Sequence, residues 1–431
     1  MTRRKAMRAR RKALRGGPPT QRTRYMSIDG GGRFLSARRA RAPSRGRTRA
    51  APPRNRACSV SAVTGFLVFF GRSGQSDVER RLDAVRVAIG AVVLRRALEA
   101  GFDPVVGVTR DDEARRVFQD AGAEIDREET APFHYGNELV RIVERRKLDR
   151  VCAIGAGAGA LLGARQLRAM REELEAAGAL VLSNNYYSAD LVGLTPTSAL
   201  RAIALPPADN PLPRLLHQEA GLPSRQLERS SATLLDVDTP ADATVLRRHP
   251  ACPPELASLD AWEADLGGRI DALMRIVTTP ERELVVAGRV GAPVWTYLES
   301  QTACRVRMLA EERGMQSAGR DASGSARTAL GFLYEKVGPR AFFELIGELG
   351  DGMLFDTRVL FAHLGWRPAP PERFASDLFR SEELAPGPLR EFTRAARDAR
   401  YPVLLGGHTL VSGVLWTMVE AAWAGHPEQD T

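Results

Sequence analysis

The sequence predicts an α/β fold: a mostly parallel sheet with helices on both faces, followed by a second mixed, largely helical α/β domain. Three observations predict it. Between residues 60 and 250, short apolar runs alternate with helix-length amphipathic stretches, the pattern of successive βαβ units. Two of the helical stretches stop at glycine, Gly101 and Gly122, where a left-handed C-cap is expected. From about His249 onward the strand–helix rhythm gives way to longer helical patterns.

Taken in order, 63–70 reads as a buried first strand that runs into the loop Gly71-Arg-Ser-Gly-Gln-Ser76. A helix over 78–100 follows, then a strand at 104–109, a helix at 111–121 and a short strand at 123–126. Residues 136–146 are helical, and 150–155 form a strand entering Gly155-Ala-Gly-Ala-Gly159. After a helix at 166–177, the run from Ala179 ends in Asn184-Asn-Tyr-Tyr-Ser-Ala-Asp190. The proline-rich stretch 206–213 interrupts the pattern before a final strand at 232–237, which leads into Asp238-Thr-Pro-Ala-Asp242. In the second half, 256–277 is an amphipathic helix. Residues 283–291, 294–300 and 304–309 suggest a βαβ unit. The remainder reads as helical up to the apolar run 402–413 and a helix around Trp416.

Charge divides the chain. Residues 1–57 hold 19 of the 62 Lys and Arg but one acid, Asp29, which leaves 43 basic against 51 acidic residues in the rest. The expected organisation is therefore a disordered Arg-rich extension at 1–57, an α/β domain at 58–250, and a mixed domain at 251–431. The high pI reflects the extension, so nucleic-acid binding is expected only through that tail. Cys58, Cys152, Cys252 and Cys304 are far apart and show no metal-ligand spacing, which fits a reducing, cytoplasmic setting. No apolar run is long enough to span a bilayer, so no membrane partner is expected.

In open α/β sheets ligands bind beyond the carboxyl ends of strands, so the polar bursts there are the candidate site. Gly71, Ser73 and Gly74, lying between strand and helix, offer backbone N–H groups to a phosphate, with Arg72 as the charge. Gly155 and Gly157 allow close approach of a ligand. Asn184 and Asn185 could orient a base or sugar, and Asp190 could serve a metal or the reaction. Asp236 and Asp238 alternate on the expected strand, project to one face and suit Mg²⁺. Asp242 suits the cap of a helix that opens on Pro240. Gly288-Arg-Val-Gly291 suggests a second anion site. Asp351, Asp356, Arg358, His363 and Asp377 crowd one segment, and His408, after two glycines, is placed to act as a general base.

Three features resemble the GT-A-like, MobA-like nucleotidyltransferases: the strand and loop Phe69-Phe-Gly-Arg-Ser-Gly74, the strand 151–155, and Asp236-Val-Asp-Thr-Pro-Ala-Asp242. The resemblance covers residues 60–250. It implies Mg²⁺-dependent transfer of a nucleotidyl group from an NTP to a small phosphorylated or hydroxylated acceptor. It leaves homo-oligomerisation open. Two departures favour an alternative, a catalytically inactive nucleotide- or metabolite-binding module with a regulatory or assembly role. No lysine occurs between Lys12 and Lys147, and glycine and alanine stand where the family carries a strand-end acid.

Overall fold

The computed structural model describes residues 62–259 and 262–425. The basic extension and Cys58 lie outside the described residues. Among the described residues, eleven strands form two sheets. In the first, β1 (Thr64–Phe69), β2 (Val105–Val108), β3 (Glu124–Asp126), β4 (Arg150–Gly155), β5 (Leu180–Ser183), β6 (Leu191–Thr195) and β7 (Ser224–Gln226) take the order β3-β2-β1-β4-β6-β5-β7. Every pairing is parallel except those of β6, which runs antiparallel to both β4 and β5. The second sheet holds β8 (Glu283–Gly288), β9 (Arg305–Ala310), β10 (Gly352–Asp356) and β11 (Val403–Gly406), all parallel in the order β11-β10-β8-β9.

Local chemistry accounts for these elements. All six residues of β1 are buried, as expected of a strand covered on both faces of a parallel sheet. Its side chains alternate between two cores: Phe66 and Val68 join one, Leu67 and Phe69 the other. The Asp77–Glu99 helix starts at Ser76, whose hydroxyl accepts from the Glu79 N–H while the Glu79 carboxylate accepts from the Ser76 N–H at 3.0 Å. Gly101 and Gly122 take the expected left-handed conformation, φ 83° and 88°.

The core on the Phe66 face extends without a break into the second sheet, through Leu284, Val286, Leu354 and Leu404. The Gly413–Ala424 helix, almost wholly buried, joins the halves. It packs on the Glu263–Thr278, Ser231–Leu234 and Pro240–Leu246 helices.

One expectation fails. Residues 232–237 do not form the final strand. Ser231–Leu234 is a turn of helix, and only Asp236 makes an isolated antiparallel bridge, to Ala158. The sheet edge at β5 is already taken by β7. The apolar 231–235 run is buried instead against the Gly413–Ala424 helix, where a side chain at Gly413 would strike the Leu234 carbonyl. Asp236 and Asp238 are therefore not presented by a regular strand: Asp238 is exposed, Asp236 partly enclosed. The second half is mixed and largely helical, as expected, with the short strand β10 as an element that no apolar run had marked.

Candidate functional site at the facing sheet rims

The carboxyl ends of the two sheets converge on the segment 236–242. From the first sheet, the Val237 N–H donates to the Gly157 carbonyl at 3.0 Å. From the second, the Thr409 hydroxyl donates to Asp242 Oδ2 at 2.9 Å, and Gly407 lies against Thr239. Asp242 also accepts from the N–H groups of Asp238 (2.9 Å) and Thr239 (2.7 Å). This one carboxylate therefore fixes the turn between the halves.

Asp238 stands in the middle. Its Oδ1 accepts from Arg86 Nη2 at 3.1 Å, and its charge is felt on both sides. On the first-sheet side, burial and the Asp209 and Asp238 charges push the Asp190 carboxyl up to about 7, against the pull of its Asn184 hydrogen bond. Asp209 is pushed up to about 6 by burial, with Asp238 adding to it. Asp236 is raised well above the usual carboxylate range by burial, Asp238 and Asp190. Burial and Asp238 lift Asp242 to about 7. An acidic wall whose members hold one another's protons is short of positive charge. Arg86 supplies part of it, reaching the Val237 carbonyl at 2.8 Å and Asp238.

The opposite wall is rich in guanidinium groups. Arg289, after β8, binds Asp356 at the end of β10 through Nε (2.6 Å) and Nη2 (3.0 Å). Burial opposes the Asp356 charge, but the Arg289 guanidinium holds this carboxyl below the usual range. Gly288, at φ 124°, makes the approach feasible, since a Cβ there would collide with that of Asp356. Arg358 is likewise committed to Asp377, at 2.5 and 3.1 Å. His408 follows β11; burial, with Arg289 nearby, pushes its imidazole below the ordinary value, and its Nδ1 is buried without a partner.

The residues singled out in the sequence occupy varied positions. Arg72 is bound to Asp111 through Nε at 2.8 Å and through Nη2 at 2.5 Å, so its charge is already committed. The Ser73 N–H and hydroxyl both donate to Asp83, at 2.9 and 2.7 Å. Gly74 leaves room for the Glu79 carboxylate, which a Cβ there would strike. The anion position at the start of the Asp77–Glu99 helix is thus filled by two of the helix's own carboxylates. Gly71 and Gly155 face open space. Gly157 lets Asp236 approach: a Cβ would stand 2.5 Å from Asp236 Oδ1.

Asn184 is spent internally. Its Oδ1 accepts from the Asp190 and Leu191 N–H groups at 3.1 and 3.2 Å, and its Nδ2 donates to Asp190 Oδ2 at 3.1 Å. It locks the β5–β6 connection and aims Asp190. Asn185 caps the Tyr187 N–H at 3.1 Å. Gly288–Gly291 offers no free charge, because Arg289 is taken by Asp356. His363 is tied to the Thr328 N–H and Glu335, away from the rims. Arg86 and Asp209, which the fold brings to this rim, were not legible in the sequence. Arg86 lies within a long helix and Asp209 within a proline-rich loop, and neither carries a local pattern.

Neither a protein-family model nor a curated protein matches the sequence. Solved structures do resemble it in part. A cytidylyltransferase from Leptospira borgpetersenii is 14% identical over 43% of this chain and 86% of its own, with a TM-score of 0.35. A nucleotidyl transferase from Methanothermobacter is 18% identical over 40% of this chain and 91% of its own, TM-score 0.32. A Mycobacterium tuberculosis protein solved in complex with manganese is 21% identical over 42% and 96%, TM-score 0.30. These are likenesses of fold over part of the chain. No helix among the described residues is long and apolar enough to cross a membrane.

Proposed function

We propose that the chain binds a nucleoside triphosphate at the rim of the seven-stranded sheet. It then transfers the nucleotidyl group to a small phosphorylated or hydroxylated acceptor that enters between the two sheets. The observation that carries this reading is the convergence of Asp190, Asp209, Asp236 and Asp238 on one rim, where burial and neighbouring carboxylates hold up the Asp190, Asp209 and Asp236 carboxyls. Such a wall gains most from a cation. Among the described residues no group of three or more His, Cys, Asp or Glu is gathered tightly enough to hold a metal alone. Mg²⁺ does not need one: it keeps several waters and takes one or two carboxylates plus substrate phosphates. The all-oxygen donors Asp236 and Asp238, with Asp190 behind them, fit that mode.

Asp236 and Asp238 would hold such an ion, which would supply neutralisation of the phosphate charge. The chain's own residues do the rest. Arg86 presents a guanidinium beside Asp238. Asn184 holds Asp190 in place, and the open backbone at Gly71 and Gly155 leaves room for the nucleotide. His408, neutral at pH 7 and with Nδ1 unpartnered, is suited to take the proton of an acceptor hydroxyl.

A second reading, a binding module without turnover, draws on one specific observation. The loop at Ser73 and Gly74 is closed to phosphate by Asp83 and Glu79. A pyrophosphate-release assay on the full chain separates the two. The transferase reading expects release with one NTP and an acceptor in Mg²⁺, lost by at least a hundredfold in Asp238→Asn. Binding of NTP without release under any acceptor supports the module.

A further inference from the structure

Eight buried side-chain nitrogen or oxygen atoms among the described residues have no hydrogen-bond partner, and four of them belong to Thr239, Asp242, Arg373 and His408. Native interiors leave few such atoms, and each calls for a partner. Their concentration where the sheets meet is not accidental packing. Arg373 lies on the Pro370–Asp377 helix, which packs against the Asp77–Glu99 helix, the Pro240–Leu246 helix and β11. Thr239 heads that Pro240–Leu246 helix, and Arg373 feels the charge of Asp238, the residue before Thr239.

Arg373 makes no ion pair among the described residues, in contrast to its neighbours Arg289 and Arg358, each held by a fully buried aspartate. Arg373 itself is partly exposed, but its Nε is buried with no partner, and a buried N–H left without an acceptor is costly unless a ligand supplies one. Burial and the nearby Arg358 charge both press its pKa down, which an arriving anion would relieve. Thr239 is 3% exposed with its hydroxyl unused, so a donor stands ready at the same seam. Meanwhile the conventional anion position at the first strand–helix loop is filled by Asp83 and Glu79.

We propose that Arg373 and the Thr239 hydroxyl form an oxyanion subsite on the second-sheet side of the cleft, which receives a phosphate or carboxylate group of the bound substrates. The inference rests on the transferase reading only for which substrate brings the group. The second sheet then completes the site rather than merely flanking it. It supplies the positive charge that Arg72, bound to Asp111, does not offer.

The test is calorimetric titration of the full chain with inorganic phosphate, with acetate, and with NTP plus Mg²⁺, in wild type, Arg373→Met and Thr239→Val. Thr239→Val breaks no hydrogen bond of the protein, so it folds even where Arg373→Met does not. Arg340→Met, on an exposed helix face elsewhere, is the control. The inference expects phosphate or acetate binding by wild type, weakened about tenfold or more by Arg373→Met and severalfold by Thr239→Val. Binding by Arg340→Met stays unchanged. If NTP affinity falls in step, the oxyanion belongs to the nucleotide; if NTP affinity holds, it belongs to the acceptor. Anion binding that is absent from wild type, or unchanged in both variants, overturns the subsite. Anion binding lost in both variants while no NTP binds overturns the transferase reading and leaves the subsite standing.

Discussion

Replacing Asp190 by Asn should stabilise the protein at alkaline pH, though it removes a charged residue from the candidate site. Its carboxyl is pushed up to about 7 by burial and by Asp209, while Asn184 holds it by a 3.1 Å hydrogen bond. In the unfolded chain an aspartate titrates near ~3.9. Between about pH 4 and pH 7 the native state therefore binds more protons than the unfolded one, so stability falls as pH rises through that window. The shift of about three units corresponds to roughly 4 kcal/mol at most, at ~1.4 kcal/mol per unit. Solvent reaching a half-buried group, and repulsion shared with Asp209, reduce this to about 2 kcal/mol.

Asparagine keeps the acceptor that Asn184 needs and cannot ionise. Urea unfolding in metal-free buffer should show the variant's advantage growing by about 1–2 kcal/mol between pH 5 and pH 8. An advantage that does not change with pH, or a variant less stable than wild type at pH 8, would refute the electrostatic account of the rim.

Other consequences are as concrete. Asp356→Asn leaves the Arg289 guanidinium buried and unpaired, and should cost about 3–5 kcal/mol in denaturant unfolding; a cost below ~1 kcal/mol would show that the pair is not tightly enclosed. Gly157→Ala places a methyl against Asp236 Oδ1, so about 1–3 kcal/mol of stability should go, together with any stabilisation by Mg²⁺. Because burial holds the His408 imidazole low, the acidic limb of a pH–rate profile should fall below the ordinary ~6.5, and His408→Gln should remove it. A limb unaffected by that substitution would exclude His408 as the base.

Much of the first sheet was legible because its strands are continuous apolar runs bounded by capped helices: Ser76, Asp111, Gly101 and Gly122 mark their ends through chemistry local to the chain. What failed depends on partners distant in sequence. The 231–235 run is apolar because it meets the Gly413–Ala424 helix, and nothing within the run distinguishes that burial from a strand's. β10 is five residues long and follows a Gly-Asp-Gly turn inside a helical region, too short for a period to show. Asp236 and Asp238 were legible as acids beside a sheet rim, but not their different exposure, which follows from the one-residue bridge to Ala158. The charge of Arg72 and the amide of Ser73 looked free in the sequence. Only the fold shows that Asp111 and Asp83 have claimed them. Arg86 and Arg373 carry no motif; helix packing alone brings them to the cleft.

The most direct measurement is thermal unfolding of the full chain with each of the four NTPs, with and without Mg²⁺, in wild type and Asp238→Asn. A ligand that binds only the folded state raises the midpoint by mass action. The account predicts that at least one NTP raises the wild-type midpoint only when Mg²⁺ is present, and that Asp238→Asn abolishes the shift while its ligand-free midpoint stays nearly unchanged. No shift with any NTP, or a shift of equal size in Asp238→Asn, would contradict a metal-assisted nucleotide site at this rim.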